Sequence, residues 1–193
     1  MIPPEIHKLY RTNIEIMLES DKTEERLSRH EATAEDFTPD SVVEDMLSRI
    51  PDTIFSDVKK TVCDPCAGIG NLLATILTKR LQSHCKNWSD VYWAVASLFG
   101  VELMQDNVDT LKKRLNDIID NQDLWKSDSF DSSFTDHEGN VAKGKDIEYA
   151  YIAWREGVRE VIDHNIVCSN ADDWNFIHWC PEKELVPAVE ALF

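Results

Sequence analysis

The sequence predicts an α/β fold built on parallel strands, and three stretches carry that prediction. The first is Thr61-Val62-Cys63-Asp64-Pro65-Cys66-Ala67-Gly68-Ile69-Gly70-Asn71-Leu72-Leu73. Here a short apolar approach breaks into an acid, two closely spaced glycines and an amphipathic run, which reads as strand, tight turn and helix start. The second is Leu98-Phe99-Gly100-Val101-Glu102, a compact apolar run ending in an acid, with Met104, Val108, Leu111, Leu115, Ile118 and Ile119 at helical spacing behind it. The third is Asn165-Ile166-Val167-Cys168, which follows a helical stretch over 147–162 and leads into Ser169-Asn170-Ala171-Asp172. Strands and helices that alternate in this way build parallel β-α units.

The remaining elements follow in chain order. After Pro3-Pro4, the residues Ile6, Leu9, Tyr10, Ile14, Met17 and Leu18 recur at helical spacing. Charges of both signs crowd 19–36, either as a solvated helix or as a mobile connection able to close over a ligand site. Residues 1–36 therefore read as an N-terminal helical extension and 37–193 as the main domain. Pro39 biases Thr38 away from helical angles, and Asp40 or Ser41 is a good N-cap for a helix with Val42, Val43, Met46, Leu47 and Ile50 on one face. Pro51 and Asp52 stop it. Residues 59–63 approach the glycine turn, and Leu72, Leu73, Ile76, Leu77 and Leu81 mark the helix behind it. The aromatic-rich stretch 88–96 reads as a further helix, and 121–146, rich in Ser, Asp, Gly and Asn, as a long exposed insertion. Phe176-Ile177-His178-Trp179-Cys180 reads as a fourth short strand ended by Pro181, and 182–193 as a weakly helical tail.

Composition bounds the function. A chain of 193 residues that is 42% hydrophobic supports one domain with a real core. A formal charge of −16 opposes unassisted binding to DNA or RNA, because phosphate affinity depends on Lys and Arg neutralising the backbone. No apolar run approaches the roughly 20 residues that span a bilayer, and Met1-Ile2-Pro3-Pro4 lacks the regions of a signal peptide, so a cytoplasmic protein away from membranes is expected. Five cysteines, an odd number, are expected as free thiols. Cys63 and Cys66 form a Cys-x-x-Cys, yet no second cysteine or histidine pair stands at ligand spacing. Ordinary burial is therefore favoured over a metal or redox role, and no metal is expected.

Ligands of β-α-β nucleotide folds lie across the carboxyl ends of the strands, so Asp64, Glu102 and Asn170 should converge. Gly68 and Gly70 permit positive φ and remove Cβ atoms from the path of a bound molecule. Glu102 is placed to accept both ribose hydroxyl hydrogens. It stands about 38 positions beyond Asp64, against ~20 in dinucleotide folds, because 88–96 is inserted between. Leu73 stands where the dinucleotide fingerprint has its third glycine, which points to a ligand without a pyrophosphate.

Asp64-Pro65-Cys66-Ala67-Gly68-Ile69-Gly70-Asn71-Leu72-Leu73 resembles the Asp-Pro-Ala-Cys-Gly-x-Gly-x-Phe-Leu motif of DNA adenine-N6 methyltransferases, which bind S-adenosylmethionine. Phe37-Thr38-Pro39 resembles their Phe-Thr-Pro segment at the methionine end of the cofactor. Gly100-Val101-Glu102-Leu103-Met104-Gln105-Asp106-Asn107 is similar to their ribose-binding strand end, and 165–176 to the segment beside the adenine. The resemblance covers roughly 36–176 and is greatest to small methylase-like proteins of phage genomes, which would work in the host cytoplasm. It implies a Rossmann-like methyltransferase fold with a truncated sheet and an N-terminal helical segment. It also implies that Phe37 and Thr38 contact the methionine moiety, that Asp64 lies near its amino group, and that Gly68 and Gly70 underlie the backbone approach. Glu102 would hold the ribose and Asn170 the adenine amine. Pro65, Asn71, Leu103 and Ala171 complete the residues expected to line the cofactor.

Two departures stand out. Cys66-Ala67 inverts the family's Ala-Cys order, a change among small residues. More serious, the Asn/Asp-Pro-Pro-Tyr/Phe motif that grips the target amine and stacks on the flipped base is missing, since no Pro-Pro pair follows Pro4. Trp179 and His178 stand near its place without supplying its amide-carbonyl pair, so no catalytic residue is assigned. Each binding residue also has a structural alternative: Asp64 as a turn cap, Glu102 as a solvated acid, Phe37 as an aromatic staple, Asn170 as a turn former. The expected function is S-adenosylmethionine binding, as a methyltransferase needing a partner or as the cofactor-binding half of one. A homodimer or second chain would cover the open sheet edge, with DNA reached only through partner help. The alternative is a noncatalytic acidic module that binds a host or phage protein; a nucleotide oxidoreductase is weakened by the missing glycine.

Overall fold

The computed structural model describes residues 38–121, 130–131, 133–134, 140–143 and 145–181. The chain divides into two units, Met1–Phe37 and Thr38–Phe193. The first lies outside the described residues, and with it Phe37 and the predicted helix at 6–18; so do most of the predicted insertion and the tail from Glu182.

Six helices and five strands are described: α1 Asp40–Ser48, α2 Thr53–Ser56, β1 Val62–Asp64, α3 Asn71–Ser83, α4 Trp88–Ala96, β2 Leu98–Glu102, α5 Gln105–Asp120, α6 Lys145–Asn165, β3 Ile166–Cys168, β4 Trp174–Asn175 and β5 Cys180–Pro181. The protein is a mixed α/β structure around a small parallel sheet of order β1-β2-β3. Val62, Cys63 and Asp64 stand opposite Leu98, Phe99 and Gly100; Gly100, Val101 and Glu102 stand opposite Ile166, Val167 and Cys168. β1 pairs with β2 alone, so among the described residues it is an edge. None of the described helices is long and apolar enough to cross a membrane.

Apolar spacing explains the packing. Leu73, Leu77 and Leu81 of α3, Leu111 and Leu115 of α5, and Ile162 of α6 are fully buried, with α3 packed on α5 and α4 on α6. Gly100 lets helix and sheet close up: a Cβ there would lie 3.1 Å from both Ala67 and Leu73 and 3.2 Å from Ile166. An aromatic cluster joins α4 to α6. Trp88 stacks on Phe134 at 5.1 Å, meets Phe130 edge-on, and accepts at its carbonyl from Trp154 Nε1 at 3.1 Å.

Three expectations need correction. Asp40 is the first helical residue of α1 and Pro39 holds the cap position, with no side-chain cap; the Pro39 carbonyl takes the Val42 and Val43 amides instead. Only Val43 and Leu47 of α1 are buried, while Val42 and Met46 stay exposed, because the helix meets α3 along one narrow stripe. Of the run 176–180, residues 176–179 form a turn and Cys180 alone is strand, paired in β5 with Pro181, which continues the strand rather than ending it. Asn175 Oδ1 accepts from the Ile177 and His178 amides at 3.0 and 2.9 Å, which closes a turn between β4 and β5. Asparagine at the entrance of an aromatic run was the turn signal.

Arg80 is a structural centre that apolar periodicity does not reveal. Its side chain is wholly buried. Nε donates to Ile54 O at 2.9 Å, Nη1 to Ser97 Oγ at 2.7 Å and Ala94 O at 3.2 Å, and Nη2 to Lys60 O at 2.6 Å. Burial lowers its pKa to about 10, so it keeps its charge at neutral pH. The guanidinium thus joins α2, the approach to β1 and the end of α4 at the amino end of the sheet. Arg80→Met should leave three carbonyls without their donor and cost at least about 3 kcal/mol, read as a lower urea midpoint with an unchanged slope.

Candidate functional site

The loop after β1 has to turn sharply to feed α3, and it does so through Gly68 at φ 52° and Gly70 at φ 82°. Both angles lie in the left-handed region that favours glycine. Ala67 N donates to Val101 O at 2.9 Å, and Gly70 N to Ala67 O at 2.8 Å, so the loop is fastened to β2 and to itself. Gly70 has a second reason to be glycine, because a Cβ there would lie 2.0 Å from Leu111 Cδ1. Its open side is occupied by a helix of the same chain.

α5 grips this turn with one face. Asn107, Leu111 and Arg114 stand at i, i+4 and i+7 and so share a side of the helix. Asn107 Nδ2 donates to Glu102 Oε1 at 3.2 Å, Leu111 fills the space at Gly70, and Arg114 donates to Ile69 O at 3.3 Å and to Asn71 Oδ1. Asn71 Nδ2 in turn donates to Thr38 O at 2.8 Å. The chain Arg114, Asn71, Thr38 therefore ties the segment before α1 to the start of α3. Sequence reasoning missed Arg114; its signal was the helical spacing from Leu111.

Glu102 ends β2, one strand over. Its Oε2 accepts from Gly68 N at 2.8 Å, and its Oε1 from Met104 N at 3.0 Å as well as from Asn107. Asp64 ends β1 and accepts from Cys66 N at 3.1 Å through Oδ1. Burial, and then repulsion from Glu102, push the Asp64 carboxyl above its ordinary 3.8 although the Cys66 amide pulls the other way. Two acids thus stand at the carboxyl ends of neighbouring parallel strands beside a glycine turn. That acceptor set suits a ligand carrying hydroxyl groups and positive charge.

Most of the other expected residues face solvent. Leu103 is 56% exposed, and Pro65 and Thr38 are exposed. Asn170 is exposed and accepts from Asp172 N at 3.1 Å, capping a short helical turn that begins at Ala171. Its described bond is that of a turn former. Trp179 covers apolar surface: its ring meets Phe99 edge-on at 4.7 Å and Trp174 at 5.4 Å, and Nε1 donates to His164 O. Cys63 and Cys66, expected to be buried, are exposed free thiols. Cys63 projects on the sheet face opposite Gly100, away from α3. No three His, Cys, Asp or Glu side chains gather as metal donors among the described residues. No protein-family model, curated protein or solved structure matches the chain.

The raised Asp64 pKa has a defined sign. The folded chain holds this proton more tightly than the unfolded one, so the contribution to stability is full below 3.8 and is lost as pH rises through the raised value. Asp64→Asn keeps the acceptor for Cys66 N and removes the titration. In urea titrations between about pH 4 and about pH 7, the variant should gain on the parent as pH rises.

Proposed function

We propose that this chain binds S-adenosylmethionine at the glycine turn and Glu102, on a Rossmann-like sheet, as the cofactor-holding part of a protein resembling DNA adenine-N6 methyltransferases. The observation that supports this reading is the 2.8 Å bond from Gly68 N to Glu102 Oε2, 34 residues apart in sequence. It joins the turn after one parallel strand to the acid at the end of the next, the junction where such folds hold a ribose. Glu102 is the ribose acceptor, Asp64 faces the methionine ammonium, Gly68 underlies the backbone approach, and Thr38, Pro65, Asn71, Leu103, Asn170 and Ala171 form the rim. When bound, the cofactor supplies an electrophilic methyl group. The chain's own part is to bind and orient it with two carboxylates that favour a cation. The groups that grip a target amine come from a partner, a second copy or another chain that completes the β1 edge, and that partner also brings the DNA. A charge of −16 on this chain makes such help necessary.

One observation favours a second reading. Glu102 already receives three N–H donors, and the side chains of Asn71 and Asn170 are engaged within the chain. A site so fully satisfied also suits a noncatalytic acidic module that keeps the architecture and binds another protein.

Calorimetry with S-adenosylmethionine, S-adenosylhomocysteine and NAD separates these readings. Binding of the first two without NAD is expected, and failure of both to bind would overturn the proposal. Binding that never leads to methyl transfer, alone or with partner proteins, would favour the module. Glu102→Ala would strip three donors of their acceptor and confuse affinity with stability; Glu102→Gln removes the charge and keeps one acceptor oxygen, so with a urea midpoint read beside the calorimetry it is the more informative change. It should weaken cofactor binding about tenfold while the fold persists. Parental affinity should rise with pH as Asp64 ionises, since a bound ammonium favours the carboxylate; an Asp64→Asn chain should lose that slope.

A further inference from the structure

On the sheet face opposite α3 lies an open groove of about 460 Å³, walled by Thr61, Cys63 and Pro65 along β1 and by Phe99, Phe176, Ile177 and Trp179. Ile177 is 87% and Phe176 44% exposed, and Cys63 is an exposed free thiol. Trp179 has a left-handed backbone, φ 53°, which its bond to the His164 carbonyl and its ring contacts with Phe99 and Trp174 hold in place. The wall is thus fixed before anything binds. The strand along the groove is also an open edge. Val62 N donates to Ser97 O at 2.8 Å, so Val62 and then Asp64 turn their backbone groups toward β2, because alternate residues of a parallel ladder bond to opposite sides. Cys63 between them, and Thr61 by the same alternation, turn theirs to the side where no strand pairs with β1 among the described residues. Thr61 and Cys63 therefore offer backbone groups to the edge and side chains to the groove.

We propose that β1 accepts an added strand from another protein, an extended segment with apolar residues at alternate positions and Lys or Arg between them. Such a strand lies about 4.8 Å beyond β1. Its backbone pairs with Thr61 and Cys63, and every second side chain falls on the face of the groove, where apolar residues meet its uncovered walls. Pro65, without an N–H, limits the pairing at the end of the strand. Charge selects the partner. The chain carries −16, and Asp57 and Asp64 flank the edge; of the two lysines between them, Lys59 already lies over the Trp93 ring at 5.2 Å. A second copy would bring another −16 to the same edge, whereas a basic strand is drawn to it. The strand belongs to the partner that the proposed function calls for at the β1 edge and rests on that reading for its source; its binding is measured without cofactor, so the failure of either is read apart.

Fluorescence anisotropy of a labelled Lys-Val-Lys-Val-Lys-Val-Lys peptide with the full chain, at about 0.15 M salt, tests this. The parent should bind it at least about tenfold more tightly than the rearranged Lys-Lys-Lys-Lys-Val-Val-Val or the acidic Glu-Val-Glu-Val-Glu-Val-Glu peptide. Cys63→Pro, which removes an N–H from the open edge, should weaken the alternating peptide about tenfold. Ile177→Ser, made on an exposed groove residue, should weaken it too and carries the test if the proline chain fails to fold. No binding, equal binding of the rearranged peptide, or parental affinity in Ile177→Ser would each overturn the proposal. Loss of peptide binding as the protein is concentrated would also overturn it, because a second copy would then be the occupant.

Discussion

The Glu102 carboxylate collects N–H donors from Gly68, Met104 and Asn107, and so draws the loop after β1 against the start of α5. A carboxylate in a half-buried position needs such donors, since hydrogen bonds to charged groups are stronger than neutral ones and an unpaired charge is costly. The consequence is a rigid carboxyl end of the sheet. At the opposite end Arg80 plays the corresponding part with the sign reversed, a buried cation shared among three carbonyls and a hydroxyl. Between these two charged centres three short strands are held in register with few hydrogen bonds of their own.

The proposed binding would draw on atoms that the structure already uses. A ribose that reaches Glu102 must share oxygens already used by the backbone, with the free lone pairs of the carboxylate as its entry. The Gly68 amide is the contact most open to exchange, because it lies on a loop while Met104 and Asn107 belong to the start of a helix. Asp64 differs in kind. Its single backbone bond leaves one oxygen without a described partner, and its proton is held by burial and by the neighbouring acid. The pair therefore combines an acid whose oxygens hold three N–H donors with one in which burial favours the proton.

Much of the architecture was legible in the sequence, for reasons particular to each element. The stretches 88–96 and 98–102 could be read because an aromatic-rich run and a dense apolar run mark them; the cap that starts the first, Asn87 accepting from Asp90 N, was not read. The convergence of Asp64 and Glu102 followed from parallel topology. The hairpin over 174–181 was misread because aromatic residues favour strands in general, and one asparagine side chain overrode that preference locally. Arg80 and Arg114 were missed for a different reason. Arginine on a helix usually marks solvent, and only the placement of carbonyls from distant segments makes one of them a core residue. Asn170 stood open between two roles, and its cap bond to Asp172 belongs to the simpler of them.

The close fit of Leu111 against Gly70 carries a consequence for how such turns change over time. A larger residue at 70 requires a smaller one at 111, and even then φ 82° restricts the choice to the few side chains that tolerate left-handed backbone. The two positions are therefore coupled whether or not any ligand visits the site. This glycine is a packing requirement of the leucine behind it, so its presence is no sign of a ligand. Glu102 is likewise committed to three N–H donors, so of these positions Asp64, with its one backbone bond, is the one whose side chain the fold constrains least.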